Sequence, residues 1–126
     1  DFSGEPDSTG LMFRYTDNSN YLGAGVKATN STDPVLEIFK VVGGTTTVLE
    51  TLTLTGEGPI SPDTEYPITG SSIGTTIDVT FTIGGSAYNI TATNVTEHQT
   101  ATKHGFYLGE ASIYITDMQI KYMASV

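Results

Sequence analysis

The sequence has no cysteine and no tryptophan, and only five lysines and arginines. The missing cysteine excludes disulfides, thiolate metal sites and a cysteine nucleophile. It does not fix the compartment. The scarce cations are Arg14, Lys27, Lys40, Lys103 and Lys121, spread along the chain against a net charge of −9. A nucleic-acid surface needs clustered Lys and Arg to displace phosphate counterions, so neither nucleic acid nor an anionic membrane is an expected partner. No run approaches the roughly 18 apolar residues of a membrane helix, and no signal peptide is visible. The chain begins at Asp1 without a methionine, which reads as a processed chain or a segment of a longer one. Good helix formers are sparse, and no segment has a helical period.

Threonine and glycine fill the space these absences leave. Thr, Val, Ile and Tyr favour a pleated, half-buried surface. The length, 126 residues, suits one domain with one core. Strand-like runs recur at short spacing between turn signals, as in an antiparallel sandwich or barrel. They are Leu11–Thr16, Tyr21–Ala28, Val35–Val42, Thr46–Thr55, Thr64–Thr69, Thr76–Ile83, Ala87–Thr93, Gly105–Leu108 and Ser112–Met123. Gly43-Gly44 and Gly84-Gly85 each sit between two alternating runs, and Gly-Gly supplies the positive φ of a tight hairpin. Ile77, Val79, Phe81 and Ile83 share one face of their run, with Asp78, Thr80 and Thr82 on the other. "GEGPISP" from Gly56 to Pro62 breaks any strand, and "TEHQTATKHG" from Thr96 to Gly105 is irregular. The expected fold class is all-β, a two-sheet antiparallel β-sandwich.

Between the first two runs lies Asp17-Asn18-Ser19-Asn20. Asp and Asn favour turns by bonding to their own backbone, so these residues read first as a hairpin turn. The same oxygens suit a hard cation such as calcium. If Phe13 points inward, Arg14 faces the other way, and Arg14, Asp17, Asn18, Asn20 and Tyr21 form one exposed patch for a ligand. A glycan site would set an aromatic face beside such polar groups. The candidate aromatics are Tyr15, Tyr21, Tyr66, Tyr88, Tyr107, Tyr114 and Tyr122, residues that also serve as ordinary half-buried strand positions.

Catalysis finds less support. A glycosidase needs two carboxyl groups about 5 Å apart or roughly 6.5–9.5 Å apart. Glu37, Glu50, Asp78 and Asp117 each stand alone on their strands, while Glu57, Asp63 and Glu65 lie in or beside the Gly/Pro-rich stretch. His98 and His104, with Glu97 adjacent, match no common metal or nucleophile spacing. Sequons occur at Asn30, Asn89 and Asn94, which matter only in a secreted protein made with glycosylation machinery.

The order of "DFSG", "GLMFRYTDNSNYLGAGV", "LEIFKVVGGTTTVLET" and "HGFYLGEASIYITDMQI" resembles the concanavalin A-like, laminin-G-like jelly-roll superfamily over roughly residues 1 to 122. Members commonly carry an "FRYxDxxNYY" hairpin, an "LxLxKVVGG" hairpin and a closing "GxxGLYxxGxxxxFDDVxV". Two departures stand out. Thr64-Glu65-Tyr66-Pro67 replaces a Gly-x-Trp-Tyr strand, which removes a stacking surface. Thr116-Asp117 replaces a double Asp, which leaves one carboxylate. The resemblance implies a jelly-roll sandwich and a structural calcium held by Asp117 and Asp1. It also implies a module appended to a larger extracellular, cell-surface or virion assembly, many such modules being glycan binders. The leading expectation is a non-catalytic recognition or adhesion module for a glycan or a protein surface. A self-assembling structural subunit, forming a homo-oligomer, is the second expectation, and a glycanase domain the third.

Overall fold

A computed structural model describes residues 9–27, 33–60 and 64–107. The fold is an all-β, two-sheet antiparallel sandwich. In chain order the strands are β1 (Thr9–Asp17), β2 (Asn20–Lys27), β3 (Val35–Val42), β4 (Thr45–Thr53), β5 (Ile68–Ile73), β6 (Thr76–Ile83), β7 (Ser86–Ala92) and β8 (Lys103–Tyr107). One sheet runs β4-β3-β2-β1-β8 and the other β5-β6-β7. The chain therefore makes a four-strand meander, crosses to make a three-strand meander, and returns to set β8 beside β1. That return resembles a Greek key. The doubled interleaving of a jelly roll is not seen among the described strands.

The core lies between the sheets and follows from period-2 alternation. Phe13, Leu22, Ala24, Val26, Leu36 and Ile38 come from the larger sheet; Ile77, Val79, Phe81, Ile83, Ile90 and Ala92 come from the smaller. β1 lies over β5, and β3 and β4 lie over β7. Gly70 lets the sheets approach on the β1 side. A Cβ there would sit 2.8 Å from Leu11 Cδ1 and 2.9 Å from Phe13 Cζ. A second apolar cluster, Tyr21, Phe39 and Val41 with Met12 and Tyr15, occupies the opposite face of the larger sheet. Its centre depends on Gly23, where a Cβ would meet the Phe39 ring at 2.1 Å.

Both Gly-Gly turns form as the sequence implies, with φ of 58° and 81° at Gly43 and Gly44 and 61° and 79° at Gly84 and Gly85. β5 differs from expectation. It covers Ile68–Ile73 rather than Thr64–Thr69. Gly70-Ser71-Ser72 reads locally as a breaker, but the register Gly70↔Val79 and Ser72↔Ile77 puts Gly70 and Ser72 on the inner face. Tertiary pairing overrides local propensity there. A hairpin at Gly74 (φ 58°), not anticipated, joins β5 to β6. The run Ser112–Met123 lies outside the described residues.

The two ends of the sandwich differ. At one end the Gly/Pro-rich stretch is tied down by Asp33, whose carboxylate accepts the Gly56 and Gly58 N–H groups at 3.1 and 2.7 Å. There Tyr88 donates its hydroxyl to Glu57. That bond, the largest cause, raises the Tyr88 pKa above its ordinary value. At the other end the β1–β2, β3–β4 and β5–β6 turns meet the segment after β7. This second end is called the loop end below.

Candidate functional site

The loop end is organised around Arg14. Arg14 sits in β1 with φ of 50°, a left-handed conformation that is rare for a long side chain. The register shows why. Phe13 pairs with Leu22 but Asp17 pairs with Asn20, so β1 carries extra residues at this point. A β-bulge re-aims side chains. Arg14 is therefore not on the outward face opposite Phe13, as simple alternation implies; it is buried, with 4% of its surface exposed. Its Nε donates to Ser72 Oγ at 2.9 Å, its Nη1 to Val95 O at 3.0 Å and Glu97 O at 3.2 Å, and its Nη2 to Gly74 O. One side chain thus ties β1 to the β5–β6 hairpin and to the segment after β7. Burial lowers the Arg14 pKa, and the nearby Glu97 charge acts the other way. A guanidinium remains charged regardless. The Arg14 backbone N–H donates to His104 Nδ1 at 3.3 Å.

The tip at Asp17–Asn20 is a turn whose polar groups bond among themselves. Asp17 Oδ1 accepts the Ser19 N–H at 2.8 Å and the Asn20 amide at 3.0 Å. These bonds, Ser19 first, lower the Asp17 pKa below its ordinary value. Asn18 Oδ1 accepts the Tyr15 hydroxyl at 2.6 Å. Asn20 Oδ1 accepts the Gly43 N–H at 3.0 Å, and Ser19 O accepts the Gly44 N–H at 2.9 Å, which locks the tip to the β3–β4 turn. Three of the side-chain oxygens that a calcium ion would use, Asp17 Oδ1, Asn18 Oδ1 and Asn20 Oδ1, already accept these donors. No group of three or more His, Asp or Glu residues suited to a metal occurs among the described residues.

The segment after β7 closes the end. Val95 is buried and its N–H bonds to Thr75 O at 2.8 Å. Lys40 Nζ lies 2.5 Å from Glu97 Oε1, with both side chains about a quarter exposed. The Lys40 hydrogen bond is the main cause lowering the Glu97 pKa. His98 Nε2 lies 3.0 Å from Val41 O. Arg14, Lys40 and Lys103 therefore gather at this end, opposed by Asp17 and Glu97. The other described carboxylates lie on strand faces or at the opposite end. Among the described residues, on a chain of net charge −9, this is a local reversal of sign.

Beside Arg14 the surface opens into a depression of about 270 Å³, lined by Arg14, Ser72, Gly74, Gln99, Thr102 and His104 among others. Two exposed aliphatics flank the same end. Val42 is 44% exposed and Ile73 is 58% exposed, each just before a turn glycine. Among the described residues a third exposed aliphatic, Val48, is on β4, which ends the described sheet.

The structure brings Arg14, Asp17, Asn18, Asn20 and Tyr21 to one end, but not into one exposed patch. Asp17 and Asn18 are exposed and Asn20 is half-buried. Arg14 faces inward, and Tyr21 is buried at 3% exposure, edge-on to Phe39 with ring centroids 6.2 Å apart. Tyr21 is buried because β2 is covered on both faces from Tyr21 to Val26. Tyr15, Tyr66 and Tyr88 are half-buried. Asn89 is exposed on β7, but its amide donates to Asp78 Oδ1, Val79 O and Thr80 Oγ1. Asn94 is exposed with φ of 58°. Asp1, Asp117 and Asn30 lie outside the described residues. Sequence reasoning missed Ser72, Gln99, Thr102 and the clamp role of Arg14. The one available signal was an arginine in an otherwise alternating strand of a cation-poor chain. Comparison of the chain with protein-family models, with curated proteins and with solved structures finds no match.

Proposed function

We propose that this chain is a non-catalytic recognition or adhesion module of an extracellular, cell-surface or virion assembly, and that it engages its partner through the loop end. The observation that carries this reading is the combination at that end of exposed aliphatics, Val42 and Ile73, with a polar tip and a buried Arg14 clamp. Turns fixed on a rigid sandwich are a common platform for binding. Exposed apolar patches rimmed by polar groups mark contact surfaces. Kinship with the concanavalin A-like, laminin-G-like superfamily is part of this reading and rests on the motif order quoted above. The partner is a glycan or a protein surface. Tyr21, the expected stacking residue, is buried, so a glycan would be held here by hydrogen bonding and charge.

A second reading, a self-assembling structural subunit, is favoured by Val48, 49% exposed on β4, the edge strand among the described residues. Edge strands with exposed apolar groups pair with other copies. A glycan-array screen with and without calcium, together with the mass in solution, separates the two. The calcium arm addresses the cation that the resemblance places at Asp1 and Asp117. Specific binding by a monomer supports recognition. Absence of binding with a stable larger assembly overturns it in favour of the structural subunit.

A further inference from the structure

We propose that the depression beside Arg14 is a subsite for one carboxylated sugar unit, of the hexuronate kind, with its carboxylate on Arg14 and His104 and its hydroxyls on Gln99 and Thr102. The inference deepens the reading of the loop end as a recognition surface and rests on it. The first argument is the unbalanced charge of Arg14. Arg14 is 4% exposed, yet the partners of its guanidinium are the neutral oxygens of Ser72, Val95, Glu97 and Gly74. The nearby Glu97 carboxylate is bonded to Lys40 instead. A guanidinium has five N–H donors. The bonds above use one on Nε, two on Nη1 and one on Nη2, leaving one Nη2 donor. A buried cation without a bonded carboxylate favours an incoming one, and such charge-assisted bonds are the strong ones.

His104 supplies a second donor. Its Nδ1 accepts the Arg14 N–H, so the neutral ring carries its proton on Nε2. His104 is exposed and lines the same depression. The rest of the lining is Ser72, Gly74, Gln99, Ala101 and Thr102, which together bring two hydroxyls, one side-chain amide and no large apolar side chain. The hydroxyls of Ser72 and Thr102 and the amide of Gln99 can bond a ligand's hydroxyls there. At about 270 Å³ the space is just below the roughly 300–1,000 Å³ typical of drug-sized ligands, which suits a single ring. The local gathering of Arg14, Lys40 and Lys103 on an acidic chain draws an anion to this end.

The test is an NMR titration of the full chain with sodium glucuronate, in parallel with glucose, acetate, inorganic phosphate and a short oligoglutamate peptide. The expected result is saturable shifts at the His104 ring and the Gln99 and Thr102 signals, with glucuronate binding at least about tenfold tighter than each other probe. Gln99→Ala and Thr102→Val, both at exposed positions, are expected to weaken glucuronate several-fold with an unchanged unfolding midpoint. Arg14→Lys is expected to lose it. Equal binding of glucose overturns the carboxylate, equal binding of acetate or phosphate overturns the sugar, and tighter oligoglutamate binding assigns the site to a protein partner. If glucuronate gives no saturable shift but Val42→Asp and Ile73→Asp still abolish binding to an array glycan, this inference falls and the recognition reading stands. If neither effect is seen, both fall.

Discussion

Arg14 shows how one residue organises an end of a sandwich. It satisfies three backbone carbonyls and a hydroxyl contributed by β5, the β5–β6 turn and the segment after β7. Replacing it with Met takes the donor from the buried Val95 carbonyl and from the part-buried Glu97 carbonyl. Arg14→Met is expected to destabilise the fold by about 3 kcal/mol, read from urea unfolding. A loss below about 0.5 kcal/mol, the level of ordinary surface substitutions, contradicts the clamp. Asp17 acts at the same scale but only locally. Its folded pKa is depressed, so its contribution to the tip is present above the ordinary value of 3.8 and fades as pH falls through the depressed one. The Ser19 amide shift is expected to titrate with a midpoint below 3.8, and Asp17→Asn is expected to abolish that titration. A Ser19 midpoint at or above 3.8 contradicts the bond. At this scale the sequence was read half correctly. Asx-turn chemistry identified the tip, because it depends on neighbours in the chain. The orientations of Arg14 and Tyr21 were missed, because a bulge and a doubly covered strand depend on distant partners.

Elements were more legible than single residues. β3 and β6 occupy the ranges their alternation implies, and both Gly-Gly hairpins close where expected. Period 2 and turn chemistry are written locally, so they survive folding unchanged. β5 failed because Gly70 and Ser72 have roles set by the facing sheet: Gly70 makes room for Leu11 and Phe13, and Ser72 receives Arg14. This gives a test of the register. Gly70→Ala forces a methyl against Leu11, Phe13 and the Asp78 carbonyl and is expected to cost about 2 kcal/mol in thermal or urea unfolding. A neutral or stabilising Gly70→Ala would remove the β1–β5 contact from the account.

For the whole molecule the governing features are the sandwich and its charge. A net charge of −9 favours solubility but strains the compact state by self-repulsion. Added salt screens exposed charges, so the unfolding midpoint is expected to rise with salt while binding of an anionic ligand at the loop end weakens. Both trends moving together would contradict the charge separation between the loop end and the rest of the chain. The sandwich itself was legible from composition and strand spacing. The partner was not, because residues from β1, β3, β5 and the segment after β7 meet only in the folded chain. The central claim is that recognition belongs to the loop end. The most direct measurement compares the array signal and solution mass of the wild type, of Val42→Asp with Ile73→Asp, and of Val48→Asp. The account predicts a monomeric wild type whose signal is lost in the loop-end pair and kept in Val48→Asp. A signal kept by the loop-end pair, or an assembly that Val48→Asp dissociates, would contradict it.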